Sequence, residues 1–315
     1  MRIIHLTDKG FPVSADDGGA SAFVANLANA QRLDGHQVWV ATTDRASKGG
    51  EVLVLDQRYS LLKQLLGLVR EKSTDIVHFH AYDEHLLPAL NEMGVPSVCH
   101  MHGANPGKNK RKNCIYVSSI HAANHGATAY VHNGIDVGSM PFVESPREYL
   151  AFLGKVRRSK KGADIAIAVA KKMRQPLSVI GGRKFSIPET WLPLSRYIKA
   201  CGVLAGEKKL NELSLARALL FPIRWEEPFG LVLIEAMACG VPVIAFNRGA
   251  VPEIVKDGET GFVVDDFDQM CGAVKRIDEI DRAACRQHVI DHFSIEKTVQ
   301  GVEHYYKKAI AGETW

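Results

Sequence analysis

The amino-acid sequence predicts an α/β protein built from two doubly wound, parallel-sheet domains that face a cleft. Its 315 residues are about twice the length of an ordinary domain. Short β-branched, apolar runs alternate with longer segments of helical period, which is typical of a parallel sheet. This alternation restarts after residues 139–148, a stretch with two prolines. We therefore expect domains at residues 1–140 and 141–293, with a C-terminal helix over 294–315 that returns to the first domain.

The individual elements follow from these periodicities. In the first domain we expect strands at Arg2–Thr7, Gln37–Thr43, Asp75–His80, Ser97–His102 and Thr128–Asn133, and helices at Ala20–Leu33, Leu61–Lys72 and Glu84–Glu92. In the second we expect strands at Tyr149–Gly154, Leu177–Gly182, Ala216–Pro222, Val241–Phe246 and Gly261–Asp266, and helices at Ala163–Arg174, Lys208–Leu215, Leu231–Cys239, Phe267–Asp278 and Ile295–Ala311. Open α/β sheets bind ligands beyond the carboxyl ends of their strands, so the cleft is the expected binding site.

Composition indicates a cytoplasmic protein without a transmembrane segment. No uncharged apolar run approaches the roughly 18 residues that cross a bilayer. The six cysteines are widely spaced, which predicts reduced and mostly buried thiols. The net charge is +4, and the excess of positive charge in the second half favours an anionic ligand.

One segment, EEPFGLVLIEAMACGVP over residues 226–242, carries the clearest chemistry. Pro228 suits a helix entry, and the amides of Phe229, Gly230 and Leu231 are expected to form an anion site at the helix N-terminus. Gly230 lacks a Cβ, so a ligand can approach the backbone closely. Glu235 lies one turn into this helix.

Two carboxylates complete this predicted site. Glu227 lies at the mouth of the loop and Glu235 on the same face as the anion site, so both can accept hydrogen bonds from hydroxyls. Glu226 is interpreted as a solvated neighbour. Amides for phosphate and carboxylates for hydroxyls together match what a sugar nucleotide requires.

This segment resembles the signature of the retaining GT-B glycosyltransferases of family 4, in which two glutamates, here Glu227 and Glu235, are separated by seven residues. The resemblance covers nearly the whole chain. It implies the GT-B fold of two Rossmann-like domains. It also implies a hexosyltransferase that uses a nucleoside-diphosphate sugar, expected to be a UDP-sugar, with retention of configuration and with neither a cofactor nor a metal.

The resemblance extends to further residues, which it implies contact the donor. It gives catalytic roles to His102, Glu227, Lys155 and Lys161, and donor-binding roles to Gly18, Gly19, Lys160, Phe229, Gly230, Leu231 and Glu235. Lys155 stands where the family has Arg, which retains the charge but not bidentate phosphate binding. An extra residue before Gly162 leaves open whether Lys160 or Lys161 contacts the diphosphate.

Histidines end two strands of the first domain. His80 is a candidate on the acceptor side, whereas His78 and His100 are interpreted as satisfied core residues. A metal site is disfavoured because no carboxylate-rich or closed ligand set accompanies them. Asp265, Asp266 and Asp268 are likewise predicted to cap a helix and not to bind metal.

The acceptor cannot be read from the sequence. Lys108 belongs to a basic run, Lys108–Lys112, which is either a solvated loop or a surface for an anionic acceptor such as a phosphorylated glycan or lipid headgroup. Peripheral membrane contact is compatible with this run, and the nucleic-acid signal is weak because aromatic residues do not interleave with it. The alternatives are a nucleic-acid base glycosyltransferase, a sugar-nucleotide epimerase and a sugar-nucleotide-binding protein on the same fold.

Overall fold

The computed structural model describes residues 1–7, 19–44, 47, 51–80, 86–103, 112–146, 148–182 and 196–315. It divides the chain into two compact units. The first unit comprises Met1–Ile135 together with Ile295–Trp315, and the second comprises Asp136–Ser294.

The first unit is built on six parallel strands in the order β3-β2-β1-β4-β5-β6. The strands are β1 Arg2–Leu6, β2 Gln37–Thr42, β3 Val52–Val54, β4 Ile76–Phe79, β5 Ser97–Met101 and β6 Cys114–Tyr116. The helices are α1 Ala20–Leu33, α2 Leu61–Glu71, α3 Leu86–Glu92, α4 Ser119–Asn124 and, from the end of the chain, α11 Ile295–Ile310.

The second unit also contains six parallel strands, in the order β12-β11-β10-β7-β8-β9. They are β7 Leu150–Leu153, β8 Leu177–Ile180, β9 Ile198–Gly202, β10 Ala218–Phe221, β11 Val243–Phe246 and β12 Gly261–Val264. Its helices are α5 Ala163–Met173, α6 Gly206–Ser214, α7 Leu231–Ala238, α8 Val251–Ile254, α9 Phe267–Arg276 and α10 Arg282–Phe293.

Both units have the same doubly wound topology, although the sequence shows no internal repeat. In each sheet the first strand of the unit lies between its second and fourth strands, so the strand order reverses at β1/β4 and at β7/β10. Ligands of such sheets bind at this reversal, beyond the carboxyl ends of the strands. The predicted fold class is confirmed.

The element predictions fail mainly at sheet edges and in short or mixed segments. The strand predicted at Thr128–Asn133 is wrong, because only Tyr130 forms a bridge, to Tyr116, and the edge strand is β6. Strand β3 was missed although its three residues, Val52–Val54, are apolar, because so short a run was not separated from the surrounding loop. Strand β9 is partly exposed and mixes polar with apolar residues, so it lacks an apolar signal. Helix α10 was not predicted, although its buried Cys285, Val289 and Phe293 recur at four-residue spacing.

The C-terminal helix α11 contributes to the core of the first unit. Val299, Val302 and Tyr306 pack in one cluster with Phe23 and Leu27 of α1. Tyr306 is fully buried, and its hydroxyl contacts polar side chains beneath the helix.

Two predictions from composition can be compared with the described residues. All six cysteines are unbridged, and five of them are buried. A search of the described helices finds none that is both long and apolar enough to cross a membrane.

Candidate active site

The loop between β10 and α7 places the predicted carboxylates at the carboxyl end of the second sheet. Gly230 caps α7 with φ of 94°, a left-handed conformation that favours glycine. Phe229 points into the core and meets Phe293 with ring centroids 5.9 Å apart. No acceptor in the described part of the chain is bonded to the N–H of Gly230 or Leu231, which is what the predicted anion site needs.

Glu227 is held through one of its two carboxylate oxygens. Lys161 donates from Nζ to Oε2 at 2.5 Å, and the Trp225 indole donates to the same oxygen at 3.0 Å. Among the described residues none donates to Oε1. The carboxylate is thus oriented by the protein while one oxygen stays available for a ligand hydroxyl.

Glu235 is arranged in the same way on α7. Lys209 of α6 donates from Nζ to Oε1 at 2.9 Å, and both side chains are largely buried, 14% and 13% exposed. No donor to Oε2 is found within the described ranges. The sequence did not single out Lys209, because Lys209 and Glu235 are 26 residues apart in the chain and lie on different helices.

The predicted phosphate-binding lysines occupy different positions. Lys161 lies against Glu227, whereas Nζ of Lys160 lies 3.4 Å from the centroid of the Trp225 ring, a cation–π contact. Lys155 is exposed on the loop after β7. Among the described residues, Lys161 is the one of these three lysines that pairs with a carboxylate, so the ammonium groups of Lys155 and Lys160 remain available to an anion.

Gly162 fixes the turn that carries Lys160 and Lys161. It adopts φ of 74° at the start of α5, and a Cβ there would lie 1.9 Å from the carbonyl oxygen of Pro222. This close approach requires glycine. The turn is also tied to the segment between β10 and the glutamates, since the amide of Arg224 donates to the Lys160 carbonyl at 2.8 Å.

Glu226 is exposed, as the sequence predicted for a solvated neighbour, and it also makes a specific hydrogen bond. Its Oε2 accepts a hydrogen bond from the Gly249 amide at 2.7 Å, while the Ala250 amide donates to the Glu227 carbonyl at 2.9 Å. The loop is therefore braced on the segment after β11. Helix capping is confirmed for Asp266, which caps α9 by accepting from the Gln269 amide.

Some predicted residues belong to the first unit. Gly19 caps α1 with φ of 74°. Gly18, Lys108, Lys110 and Arg111 lie outside the described residues, and Lys112 is exposed. The roles assigned to Gly19 and Lys112 stay predictions.

His102 and His80, by contrast, belong to a group of side chains that the strands bring together. Five histidines share one sheet face, and we call them the histidine cluster: His5, His78, His80, His100 and His102. Burial lowers the pKa of all five, to about 4 for His5 and about 3 for His102. The cluster is therefore neutral near pH 7.

Hydrogen bonds give three of these rings a defined tautomer. His5 Nε2 lies 2.7 Å from Gln31 Oε1, and an amide oxygen only accepts, so His5 donates there and accepts at Nδ1. His80 then donates from Nε2 to that atom across 2.8 Å. Its Nδ1 is left as an acceptor, 3.1 Å from Nε2 of His102.

His78 and His100 are core residues, as predicted, but their polar atoms are not all satisfied among the described residues. Both are fully buried, but Nε2 of His78 and both nitrogens of His100 have no hydrogen-bond partner in the described part of the structure. Nδ1 of His78 bonds the Tyr306 hydroxyl at 2.6 Å. Sequence reasoning also missed His5, Gln31 and Tyr306, which are far from the other members along the chain.

Two doubly wound sheets, with paired glutamates and lysines at the carboxyl end of the second, define the class of GT-B glycosyltransferases. The family model for "Glycosyltransferase Family 4" matches residues 17–181, and that for "Glycosyl transferases group 1" matches residues 147–279. The chain belongs to glycosyltransferase family 4.

Related proteins agree with this assignment. The phosphatidyl-myo-inositol mannosyltransferase of Mycolicibacterium smegmatis is 26% identical over 90% of this chain and 86% of its own length. The D-inositol 3-phosphate glycosyltransferase of the same organism is 26% identical over 61% of this chain and 50% of its own length.

Solved structures share the fold. AviGT4, a glycosyltransferase involved in avilamycin A biosynthesis, superposes with a TM-score of 0.80 at 21% identity over 100% of both chains. Anabaena HepE in complex with UDP-glucose gives a TM-score of 0.72 at 17% identity, covering 98% of this chain and 100% of that one. The protein is a glycosyltransferase, as the sequence predicted.

Proposed function

We propose that this glycosyltransferase moves a hexosyl group from a nucleoside-diphosphate sugar to an acceptor hydroxyl, with retention of anomeric configuration and without a metal. The observation that carries the proposal is the pair of glutamates in the second unit. Each is held through one oxygen by a lysine, and the other oxygen has no donor among the described residues. Such carboxylates are suited to accept hydrogen bonds from hydroxyls.

The two glutamates are assigned to different parts of the donor. Glu227 is proposed to accept from a sugar hydroxyl and Glu235 from the ribose. The amides at the start of α7 and the lysines near Trp225 are proposed to bind the diphosphate between them. The Anabaena HepE structures with UDP and with UDP-glucose support a UDP-sugar as the donor.

The bond changes follow from these contacts. The bond between the anomeric carbon and the diphosphate oxygen breaks, and the electron pair leaves with the diphosphate. The acceptor oxygen bonds the anomeric carbon on the face that the diphosphate leaves, and its proton passes to a departing phosphate oxygen. Lysine ammonium groups and helix amides stabilise the negative charge that develops, which is electrostatic catalysis by groups already in place.

The proposal is tested with two adjacent glutamates. The chain is first screened against nucleotide sugars by thermal shift, and turnover of the best donor is then followed by mass spectrometry. Glu227→Gln is expected to lower kcat by about 100-fold or more, the scale of losing one well-placed electrostatic group. Glu226→Gln is the matched control and is expected to retain transfer, since the contact of Glu226 found among the described residues is to the Gly249 amide, and the side-chain oxygen of glutamine can still accept it.

Each alternative gives a distinct product. Isomerised donor without transfer indicates an epimerase, and donor binding without turnover indicates a binding protein. Anomeric configuration is read by NMR of the product, and an inverted linkage contradicts the retaining mechanism. Full activity of Glu227→Gln contradicts the assignment of the sugar contact.

A further inference from the structure

The histidine cluster contains three imidazoles that can converge on one point. One nitrogen each of His80, His100 and His102 lies within 4.8 Å of the other two. The sequence argued against a metal because no carboxylate-rich or closed ligand set accompanies these residues. The structure changes that argument, because three imidazoles and an open position are a sufficient ligand set for zinc.

The spacing of two ligand atoms is close to what a metal requires. Nδ1 of His80 and Nε2 of His102 are 3.1 Å apart. Two nitrogens about 2.0–2.1 Å from a tetrahedral zinc ion lie roughly 3.3–3.4 Å apart. For both nitrogens to bind one ion, each lone pair turns by about 35° from the line that joins them, and the proton of His102 moves from Nε2 to Nδ1, so that both ligands remain neutral imidazoles. The terminal torsion of histidine has a broad energy minimum that permits this rotation.

The third ligand has no other described function. Both nitrogens of His100 are buried and without a hydrogen-bond partner among the described residues, so either can bind a metal without breaking an existing bond. Burying such a group without a partner is unfavourable. A ligand that bonds His100 removes this cost, which explains why a histidine occupies a position where an apolar residue would pack.

The cluster also supplies an outer shell that orients the first ligand. Gln31 accepts from His5, and His5 accepts from Nε2 of His80, so the lone pair of His80 Nδ1 faces His102. Metal-binding histidines are commonly oriented by a hydrogen bond from their second nitrogen. The neutral state of the rings removes proton competition for the metal near pH 7.

We propose that His80, His100 and His102 form a binding site for a divalent transition metal, with Zn²⁺ as the expected ion. The site joins the carboxyl end of β4 to that of β5. His102 is partly exposed and His80 is 9% exposed, which leaves a side for metal entry and for a fourth ligand from solvent. This inference concerns the first unit only, and it replaces the catalytic role that the resemblance implied for His102, whose Nε2 would be held by the metal.

The test uses the full chain after treatment with EDTA and buffer exchange. Zn²⁺ is titrated in competition with a chromophoric chelator, and Co²⁺ is added to a second sample for its visible spectrum. We expect one Zn²⁺ per chain with sub-micromolar Kd and intense tetrahedral cobalt bands without thiolate charge transfer.

Variants identify the ligands. His100→Leu and His102→Ala are each expected to weaken Zn²⁺ binding by more than about 100-fold, and Gln31→Leu by about 10- to 100-fold as an outer-shell change. His100→Leu is the informative variant because leucine removes two unpaired polar atoms, so the apo protein is expected to fold normally. Circular dichroism verifies the fold of each variant.

Two control variants change histidines outside the proposed site. His36→Ala removes a member of a second group that could hold a metal, Asp34, His36 and Glu303, and His304→Ala removes an exposed imidazole. Both are expected to leave affinity unchanged. The proposal is overturned if the wild type binds no stoichiometric Zn²⁺ or if His100→Leu keeps the wild-type affinity. It is also overturned if Zn²⁺ binding is lost in His36→Ala alone or if the cobalt spectrum shows a thiolate charge-transfer band.

Discussion

We expect the buried histidine cluster to make the first unit sensitive to mild acid, and the size of the effect follows from the lowered pKa values of its imidazoles. Burial lowers the pKa of His5 from 6.5 to about 4. Burial is also the main cause of the lowered pKa values of the other four members. Because each folded pKa lies below the unfolded one, the unfolded chain binds more protons below pH 6.5. The contribution of the neutral imidazoles to the free energy of unfolding is therefore fully present above pH 6.5 and is lost as pH falls toward 4.

The magnitude follows from the number of protons. One imidazole contributes up to about 1.4 kcal/mol per pH unit, and the full shift of His5 corresponds to about 3 kcal/mol. If only two of the five take up a proton on unfolding between pH 6 and 5, the free energy of unfolding falls by about 2.7 kcal/mol. That is a large part of the roughly 5–15 kcal/mol typical of a domain. The lowered pKa of carboxylates such as Asp75 acts only at lower pH.

Urea unfolding of the metal-free chain from pH 7.5 to pH 5 measures this slope. Circular dichroism follows the transition, and hydrogen-exchange pulse labelling at one fixed pH reports which unit unfolds. His100→Leu is expected to stabilise the apo first unit by about 1–3 kcal/mol at pH 7, because unpaired polar atoms are removed. It should also reduce the slope by up to about 1.4 kcal/mol per pH unit.

His304→Ala is the matched control and is expected to leave the slope unchanged, since His304 is exposed. The reasoning is refuted if the first unit takes up less than one proton on unfolding between pH 6 and pH 5. An unchanged slope in His100→Leu refutes it as well.

Two further predictions concern the second unit. Lys209→Met leaves the largely buried Glu235 without its cation, so we expect the free energy of unfolding, followed by thermal denaturation, to fall by about 1–3 kcal/mol. Nucleoside-diphosphate binding, measured by calorimetry, should become roughly tenfold weaker. Unchanged affinity would count against the ribose role of Glu235. Gly162→Ala forces a Cβ to within 1.9 Å of the Pro222 carbonyl, so it should cost more than about 2 kcal/mol. Gly258→Ala, at a similar φ in open space, should cost only about 1–2 kcal/mol, and equal melting temperatures for the two variants would contradict the clash.

Much of the fold and part of the site could be predicted from local patterns. Helix α1 was predicted with its observed bounds because its apolar residues recur at helical spacing, and β4 and β11 were predicted within a few residues because they are fully buried. The segment around Glu227 indicated the family since its proline, glycine and carboxylates lie within one strand–loop–helix unit. Edge strand β9 was missed because a half-exposed segment has no uniform apolar pattern, whereas edge strand β12, which is mostly buried, was predicted.

The amino-acid sequence alone determined the fold class, the family and the two glutamates, because periodicity and the loop at α7 depend on residues close together in the chain. Only the tertiary structure decided what holds those glutamates and what the histidines do. Lys161 and Glu227 are 66 residues apart, and His5 and His80 are 75 apart. Such contacts depend on how strands and helices are placed beside each other, and hydrophobic periodicity carries no information on which polar atoms then meet.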